Sequence, residues 1–271
     1  LIVLKSRANK VYPYLPHRDS VMAEWTKAGR YGVHRPELLT GPRLESVMAI
    51  DIKTGEILWE QQVENVFPRT LTSDGELVIF QEKQEIVCVD IETGTEQWRT
   101  GKLTRAISKN PWMVSATLIV YKGVILYADT SPDGKIVVTA LSAKTGRIVW
   151  GDEPELGFNA RIAPHHLPVD LFVADNLVWV ALLSRNQWQT AFRTGWDPLT
   201  GQVKRHLDIQ WNPDKINMGH HRCYRNKATD QCLLIGHSGI QVVDLATKAN
   251  ETHRWVRGLC PYGIMPANGC L

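Results

Sequence analysis

Apolar and polar residues alternate with a period of two through "ELVIF", "EIVCVD", "GVILYAD", "KIVVTALSA", "LVWVALL" and "GIQVVD", all rich in Val, Ile and Leu. Alternation of this kind, between turn residues, predicts β-strands half buried on one face. No stretch of ten or more residues carries a capped apolar period of 3.6, apart from a short candidate helix near "SVMAEWTKAG".

Between the strands one phrase recurs. "AIDIKTGEILW" ends at Trp59, "CVDIETGTEQW" at Trp98 and "ALSAKTGRIVW" at Trp150; "GWDPLTGQVKR" follows from Gly195 and "VVDLATKANE" from Val242. The turn position is Gly55, Gly94, Gly146, Gly201 and then Lys248. Copies spaced about 40 to 55 residues apart indicate stacked units or a propeller. In "DIKTGE" the Asp accepts from amides ahead of it, Thr bonds locally, and Gly takes the positive φ of a tight turn. Trp59, Trp98 and Trp150 follow that Gly on the outgoing strand. A large ring at a fixed place in each unit is suited to pack on the next unit, so these are expected to be structural docking residues.

The pattern A-x-D-x-x-T-G-x-x-x-W is intact in the first copy, kept at Asp90, Thr93, Gly94 and Trp98 in the second, and lacks its Asp in the third. It resembles the tryptophan-docking motif of the PQQ-like, or quinoprotein alcohol dehydrogenase-like, β-propellers, and it covers almost the whole chain. The segments "HHRCYRNKATDQCLL" and "WVRGLCPYGIMPANGCL" resemble large bacterial envelope proteins built of such repeats. The resemblance implies an all-β fold: a β-propeller of four-stranded antiparallel blades, with the motif as the hairpin between third and fourth strands. About five blades are present. The fourth copy has Arg205 where Trp is expected and the fifth has Thr252, with Trp255 three residues later, which leaves blade packing at those two places open.

On this map residues 1–271 form a single propeller domain, with residues 8–43 as an insertion in the first blade, which lacks its first strand. Residues from Cys260 onward read as the first strand of a further blade. Two arrangements compete: a five-bladed ring closed by the C-terminal strand, and part of a seven- or eight-bladed ring. The second is favoured, because relatives with the motif are larger and both ends fall within a blade. The chain begins without Met and stops at "NGCL", so a longer parent chain with its own targeting segment is expected. By resemblance its place is the periplasm or cell envelope.

Charge narrows the partners. Thirty-one Lys and Arg against 28 Asp and Glu give a formal charge of +3, scattered along the chain, which does not suggest nucleic acid. No apolar run approaches the roughly 20 residues of a transmembrane helix.

In an up-and-down blade, the connections from strand 2 to 3 and from strand 4 to the next blade lie opposite the Thr-Gly turns. That loop-rich face gathers the insertion, with Tyr12, Tyr14, Trp25 and His34, and the long connections, so ligands are expected there. Candidates are His165 and His166 before the fourth blade and His220 and His221 before the fifth, which can bind a transition metal or an anion. Arg69, Arg105 and Arg161, in corresponding connections, can complete a cationic mouth for a carboxylate. Solvated loop charges and backbone-bonded histidines are the competing reading, and no metal site is assigned.

Cys223 with Cys232, and Cys260 with Cys270, each span a hairpin and are candidate cross-strand pairs. Cys88 stands at the Ala position of the second copy and reads as a small core residue. The vicinal Cys-Cys of quinoprotein alcohol dehydrogenases is absent from the sequence.

Three functions compete. The first is a non-catalytic binding or scaffold module of a larger bacterial envelope protein, which presents its loop-rich face to a protein, glycan or small molecule. The second, by resemblance only, is a PQQ-dependent dehydrogenase, needing a cation held by carboxylates such as Asp129, Asp152, Glu153 or Asp170. Hydrolysis is third; no "GxSxG" or "HExxH" supports it. The binding module is the favoured reading, with no cofactor assigned.

Overall fold

The computed structural model describes residues 1–7, 44–64, 66–103, 116–130, 136–151, 170–180, 182–183, 190–192, 194–207, 226–237, 239–253 and 255. These build five antiparallel blades in chain order, with a further two-stranded sheet in the fourth. Blade 1 is β1 (Ile2–Arg7), β2 (Leu44–Ile50) and β3 (Ile57–Val63). Blade 2 is β4 (Thr72–Ser73), β5 (Leu77–Glu82), β6 (Glu85–Asp90) and β7 (Glu96–Arg99). Blade 3 is β8 (Thr117–Tyr121), β9 (Val124–Thr130), β10 (Ile136–Ser142) and β11 (Ile148–Trp150).

Blade 4 opens with β12 (Leu171–Ala174) and β13 (Leu177–Val180). A two-stranded hairpin, β14 (Leu182–Leu183) with β15 (Thr190–Ala191), then extends the chain before β16 (Thr194–Trp196) and β17 (Val203–His206) complete the sheet. Blade 5 is β18 (Lys227–Ala228), β19 (Cys232–His237), β20 (Gly239–Asp244) and β21 (Asn250–His253). Within blades 2, 3 and 5 the strand order follows the sequence, and in blade 4 the hairpin is the single interruption. The fold is therefore the strand-built repeat that the spacing of the motif predicts, in the four-stranded up-and-down blades that the resemblance implies. Blade 1 shows three strands among the described residues.

The first strands stand side by side. β4 contacts β8, β8 contacts β12, and β12 contacts β18, as the innermost strands of neighbouring blades do around an axis. Both faces of a blade need burial, and the core follows from that: it is a set of layers, one per seam. Val47, Ala49 and Trp59 pack with Val78, Phe80, Val87 and Val89 between blades 1 and 2. Ile79, Ile86 and Cys88 pack with Leu118, Ile125 and Tyr127 between blades 2 and 3. Leu126, Ala128 and Val138 meet Leu171, Val178 and Val180 between blades 3 and 4, and Trp179 and Leu207 meet Leu233, Ile235 and Val243 between blades 4 and 5. Adjacent residues such as Val78 and Ile79 point into different layers, which is why these strands read as nearly continuous apolar runs. No helix among the described residues is long and apolar enough to cross a membrane.

Candidate functional site

The two ends of the disc are built from different chemistry. At one end lie the turns between third and fourth strands. In four of them the Asp carboxylate accepts two backbone amides: Asp51 from Lys53 and Thr54 (2.7 and 3.1 Å), Asp90 from Glu92 and Thr93 (3.0 and 2.8 Å), Asp197 from Leu199 and Thr200 (2.9 and 3.0 Å), and Asp244 from Ala246 and Thr247 (3.0 and 2.7 Å). These donors favour the ionised form, so each carboxyl is held below the usual aspartate range, for Asp90 chiefly by the Thr93 amide and then its hydroxyl. Ser142 takes the Asp place in blade 3. The turn residue has positive φ throughout: +77° at Gly55, +71° at Gly94, +67° at Gly146, +71° at Gly201 and +62° at Lys248.

Each indole reaches forward to the next blade's turn. The Nε1 of Trp59 donates to the Ile91 carbonyl (2.8 Å), that of Trp98 to Ala143 (2.8 Å) and that of Trp150 to Pro198 (2.9 Å), always the residue after the Asp position. The ring lies against the turn glycine. A Cβ added at Gly94 would stand 2.7 Å from Trp59, at Gly146 2.5 Å from Trp98, and at Gly201 2.8 Å from Trp150, closer than side-chain carbons approach. Glycine thus supplies both the backbone angle and the space. Gln61 adds a bond from blade 1 to the Gly94 carbonyl.

The fourth seam uses a different donor. Arg205, at the Trp place of blade 4, donates from Nη1 to the Leu245 carbonyl (3.1 Å), the equivalent acceptor in blade 5, and the same nitrogen lies 2.6 Å from Asp175 Oδ2. Lys248 replaces the glycine on that turn. Losing the indole and losing the glycine go together, because the turn no longer has to clear a ring.

The opposite end carries the buried polar groups. Glu45, Ser46, Thr70, Gln81, Thr117, Asp129, Asp170, Thr194 and Asn226 are the buried polar or charged residues among those described, and all lie at this end of their blades. Glu45 accepts the Val66 amide (2.7 Å) where blade 1 hands over to blade 2. The Tyr127 hydroxyl lies 2.8 Å from Asp129 and 3.1 Å from Gln81 across the next seam. Asp170 accepts from both the backbone and the side-chain amide of Asn226 (3.1 and 2.8 Å), joining blades 4 and 5. Burial of hydrogen-bonding capacity costs free energy unless partners hold it in place, and for Glu45, Gln81 and Asp170 the partners come from neighbouring blades. The result is a fixed polar rim beneath the loop-rich face. No motif announces these residues: they sit singly at strand ends, and only the disc brings them into one rim.

Of the candidates named above, Arg69 lies half-buried in the 3-10 turn Pro68–Thr70 that joins blades 1 and 2, at the rim. His165, His166, His220, His221, Arg105 and Arg161 lie outside the described residues, as do the insertion 8–43, Asp152, Glu153, Cys223, Cys260 and Cys270. Cys232 is a half-buried free thiol at the start of β19. Cys88 is fully buried, and burial, with Asp74 adding a little, pushes its thiol up to about 12. The two described carboxylates considered for a cation, Asp129 and Asp170, belong to different seams and are bonded there. Among the described residues no three His, Cys, Asp or Glu side chains converge as a metal site would require. Asp129 and Asp170 do not share a position at which both could hold one quinone-bound cation.

Residues 16–179 match a family described as outer membrane protein assembly factor BamB. Among solved structures the chain is similar to BamB from Moraxella catarrhalis, at 11% identity over 80% of this chain and 61% of that one, with a TM-score of 0.45. It is similar also to a europium-containing methanol dehydrogenase (14% identity, 77% and 48% covered, TM-score 0.48) and to quinohemoprotein alcohol dehydrogenase from Comamonas testosteroni (14% identity, 78% and 41% covered, TM-score 0.49). The chain spans less than two thirds of the length of these proteins. No curated protein matches its sequence. With blades, turns and forward-reaching indoles in place and more than half of its length matched, this chain belongs to the BamB-like family of PQQ-like β-propellers.

Proposed function

We propose that this chain is a non-catalytic scaffold module of a larger bacterial envelope protein, and that its loop-rich face holds a protein partner. The observation that carries the reading is the polar rim: Glu45, Gln81, Asp129, Asp170 and Asn226 fix the strand ends on that side, while the other end is occupied by interlocking turns. Rigid strand ends beneath long connections are the arrangement by which propellers present loops to ligands. The family's description as an assembly factor favours a protein over a glycan or small molecule. An envelope location follows the same family.

The test is site-specific photocrosslinking in cells. Crosslinkers at Lys83 and Gln84, in the rim-side turn of blade 2, are expected to give a discrete protein adduct; crosslinkers at Lys53 and Glu92, in the docking turns, are not. Adducts at the docking turns alone would overturn the assignment of the face. A stabilising thermal shift with saturating quinone and Ca²⁺ would overturn the non-catalytic reading in favour of a dehydrogenase, since a ligand that binds the native state raises its melting temperature.

A further inference from the structure

The outer strands of the blades are not alike. The two residues before the docking position are Glu96 and Gln97 in blade 2 and Asn250 and Glu251 in blade 5, whereas blade 3 has Ile148 and Val149 and blade 4 has Val203 and Lys204. Within the turns, Leu199 of blade 4 stands two residues after the Asp, where blades 2 and 3 have Glu92 and Lys144. Ile148, Val149, Leu199 and Val203 are each 47 to 50% exposed. The fold does not demand apolar side chains at these places, because blade 2 builds the same hairpin, with the same bulge and a docked indole, from Glu96 and Gln97. Blade 1 carries Ile57 and Leu58 at these positions, but its far face has no described neighbour, so their exposure says nothing of the perimeter. The Trp150 indole bonds to Pro198 and lies against Gly201, which brings β11 to the flank of the Leu199 turn and the start of β17. One apolar strip thus crosses the seam between blades 3 and 4 on the perimeter of the disc. Blades 2 and 5 stand on either side of these two, so no blade that precedes or follows the five covers the strip.

The surroundings of the strip are cationic. Lys122, Lys144 and Arg147 are exposed in blade 3, whose one described carboxylate, Asp129, is buried at the opposite end, and Lys204 is exposed beside Val203. The carboxylates on the blade 4 side are engaged: Asp197 caps its own turn and Asp175 pairs with Arg205. We propose that the perimeter of blades 3 and 4 is a contact surface for an anionic phospholipid bilayer. Ile148, Val149, Leu199 and Val203 enter the boundary between head groups and acyl chains, and Lys144, Arg147 and Lys204 reach the phosphates. Apolar side chains flanked by cations are the chemistry of interfacial binding, and the long basic side chains place charge at head groups while their stems cover apolar surface. Lysine is depleted from protein-binding patches, which favours lipid over a protein at this place. With so few groups the contact is reversible and weakens with salt. The strip is separate from the loop-rich face, and the inference does not rest on the reading proposed for that face.

Flotation of the chain with vesicles of mixed phosphatidylglycerol and phosphatidylcholine, against phosphatidylcholine alone, tests this. The chain is expected to float with the anionic vesicles at low salt and to be released at about 1 M salt, where the Debye length is about 3 Å. Lys144→Gln with Arg147→Gln should weaken partition by about 25-fold, at about 5-fold for each cation near the surface. Ile148→Glu with Val149→Gln, which copies blade 2, should weaken it by at least about 10-fold. Lys83→Gln with Lys102→Gln removes two charges from blade 2 and should leave partition unchanged. Should the Ile148 and Val149 variant lose its thermal transition, Leu199→Glu, after Glu92 of blade 2, takes its place. No flotation with the anionic vesicles, equal flotation with the uncharged ones, an equal loss in the Lys83 and Lys102 control, or flotation that survives the apolar substitutions would overturn the proposal. A mass that rises with concentration in the absence of flotation, and that the same substitutions lower, would overturn it in favour of a second copy.

Discussion

Arg205 Nη1 donates to the carbonyl of Leu245 at 3.1 Å, the acceptor position that indole N–H groups occupy at the other three described seams. A guanidinium reproduces the directional bond without the ring, and its second contact, with Asp175 at 2.6 Å, is about one-third exposed on both sides. Screening keeps that ion pair within about 1 kcal/mol. At the docking position the contact between blades 4 and 5 is thus ionic and polar where the other three described contacts are aromatic.

It follows that Arg205 and Lys248 are energetically coupled. Arg205→Trp alone should destabilise by about 1 to 3 kcal/mol, because the ring meets the Lys248 Cβ. Adding Lys248→Gly should recover this loss, with a coupling energy of about 1 to 3 kcal/mol in a double-mutant cycle. Additive effects in denaturant unfolding would show that the two positions do not share one socket.

The indole of Trp98 joins blade 2 to blade 3 through its ring and its N–H. Trp98→Ala should cost about 3 to 5 kcal/mol, the range for removing a buried aromatic. Gly146→Ala, on the other side of the same contact, should also destabilise, through both its +67° φ and the 2.5 Å approach. A loss below about 1 kcal/mol for Trp98→Ala, measured by chemical denaturation, would contradict the seam described.

The turn carboxylates give an acid dependence. Amide donors depress the folded-state pKa of Asp51, Asp90, Asp197 and Asp244, so their stabilisation is present above the unfolded-state pKa and is lost as pH falls through the folded-state one. The turns should hold at neutral pH and loosen only in acid below the ordinary aspartate range. Blade 3 is an internal control, because Ser142 has no charge to lose. In NMR titrations the Thr93 amide should shift with a midpoint below the ordinary aspartate value while the Thr145 amide does not follow it. A Thr93 midpoint at or above that value would refute the capping argument.

Cys88 is buried between blades 2 and 3, with its thiol pushed up to about 12. It should therefore resist alkylation at mildly alkaline pH in the native protein and react once denaturant opens the seam. Peptide mapping that finds Cys88 modified as fast under native as under denaturing conditions would count against its placement.

What the sequence discloses divides along the same lines. The blades were legible because their signals are local: short runs rich in Val, Ile and Leu between turn residues mark β5, β6, β9 and β20, buried on both faces and not on one as expected, and Asp-x-x-Thr marks a turn even where Lys248 has replaced glycine. The partner of Arg205 was not, since its acceptor lies 40 residues away and is defined only once blade 5 stands beside blade 4. The β14–β15 hairpin was hidden for another reason: it prolongs β13 without a turn signal of its own. The rim was the least legible part. Asp129, Asp170 and Asn226 are unremarkable in sequence, and the long connections that carry the histidine pairs lack the repeat that anchors everything else.

The forward direction of the indoles bears on how the chain is made. Trp59 waits for Ile91, 32 residues later, and Trp98 for Ala143, 45 residues later. At about 5 to 20 residues per second of translation, the second wait lasts roughly 2 to 9 s. During synthesis each newly emerged blade therefore has an unlatched ring until its successor leaves the ribosome, and the nascent chain locks one blade behind its growing end.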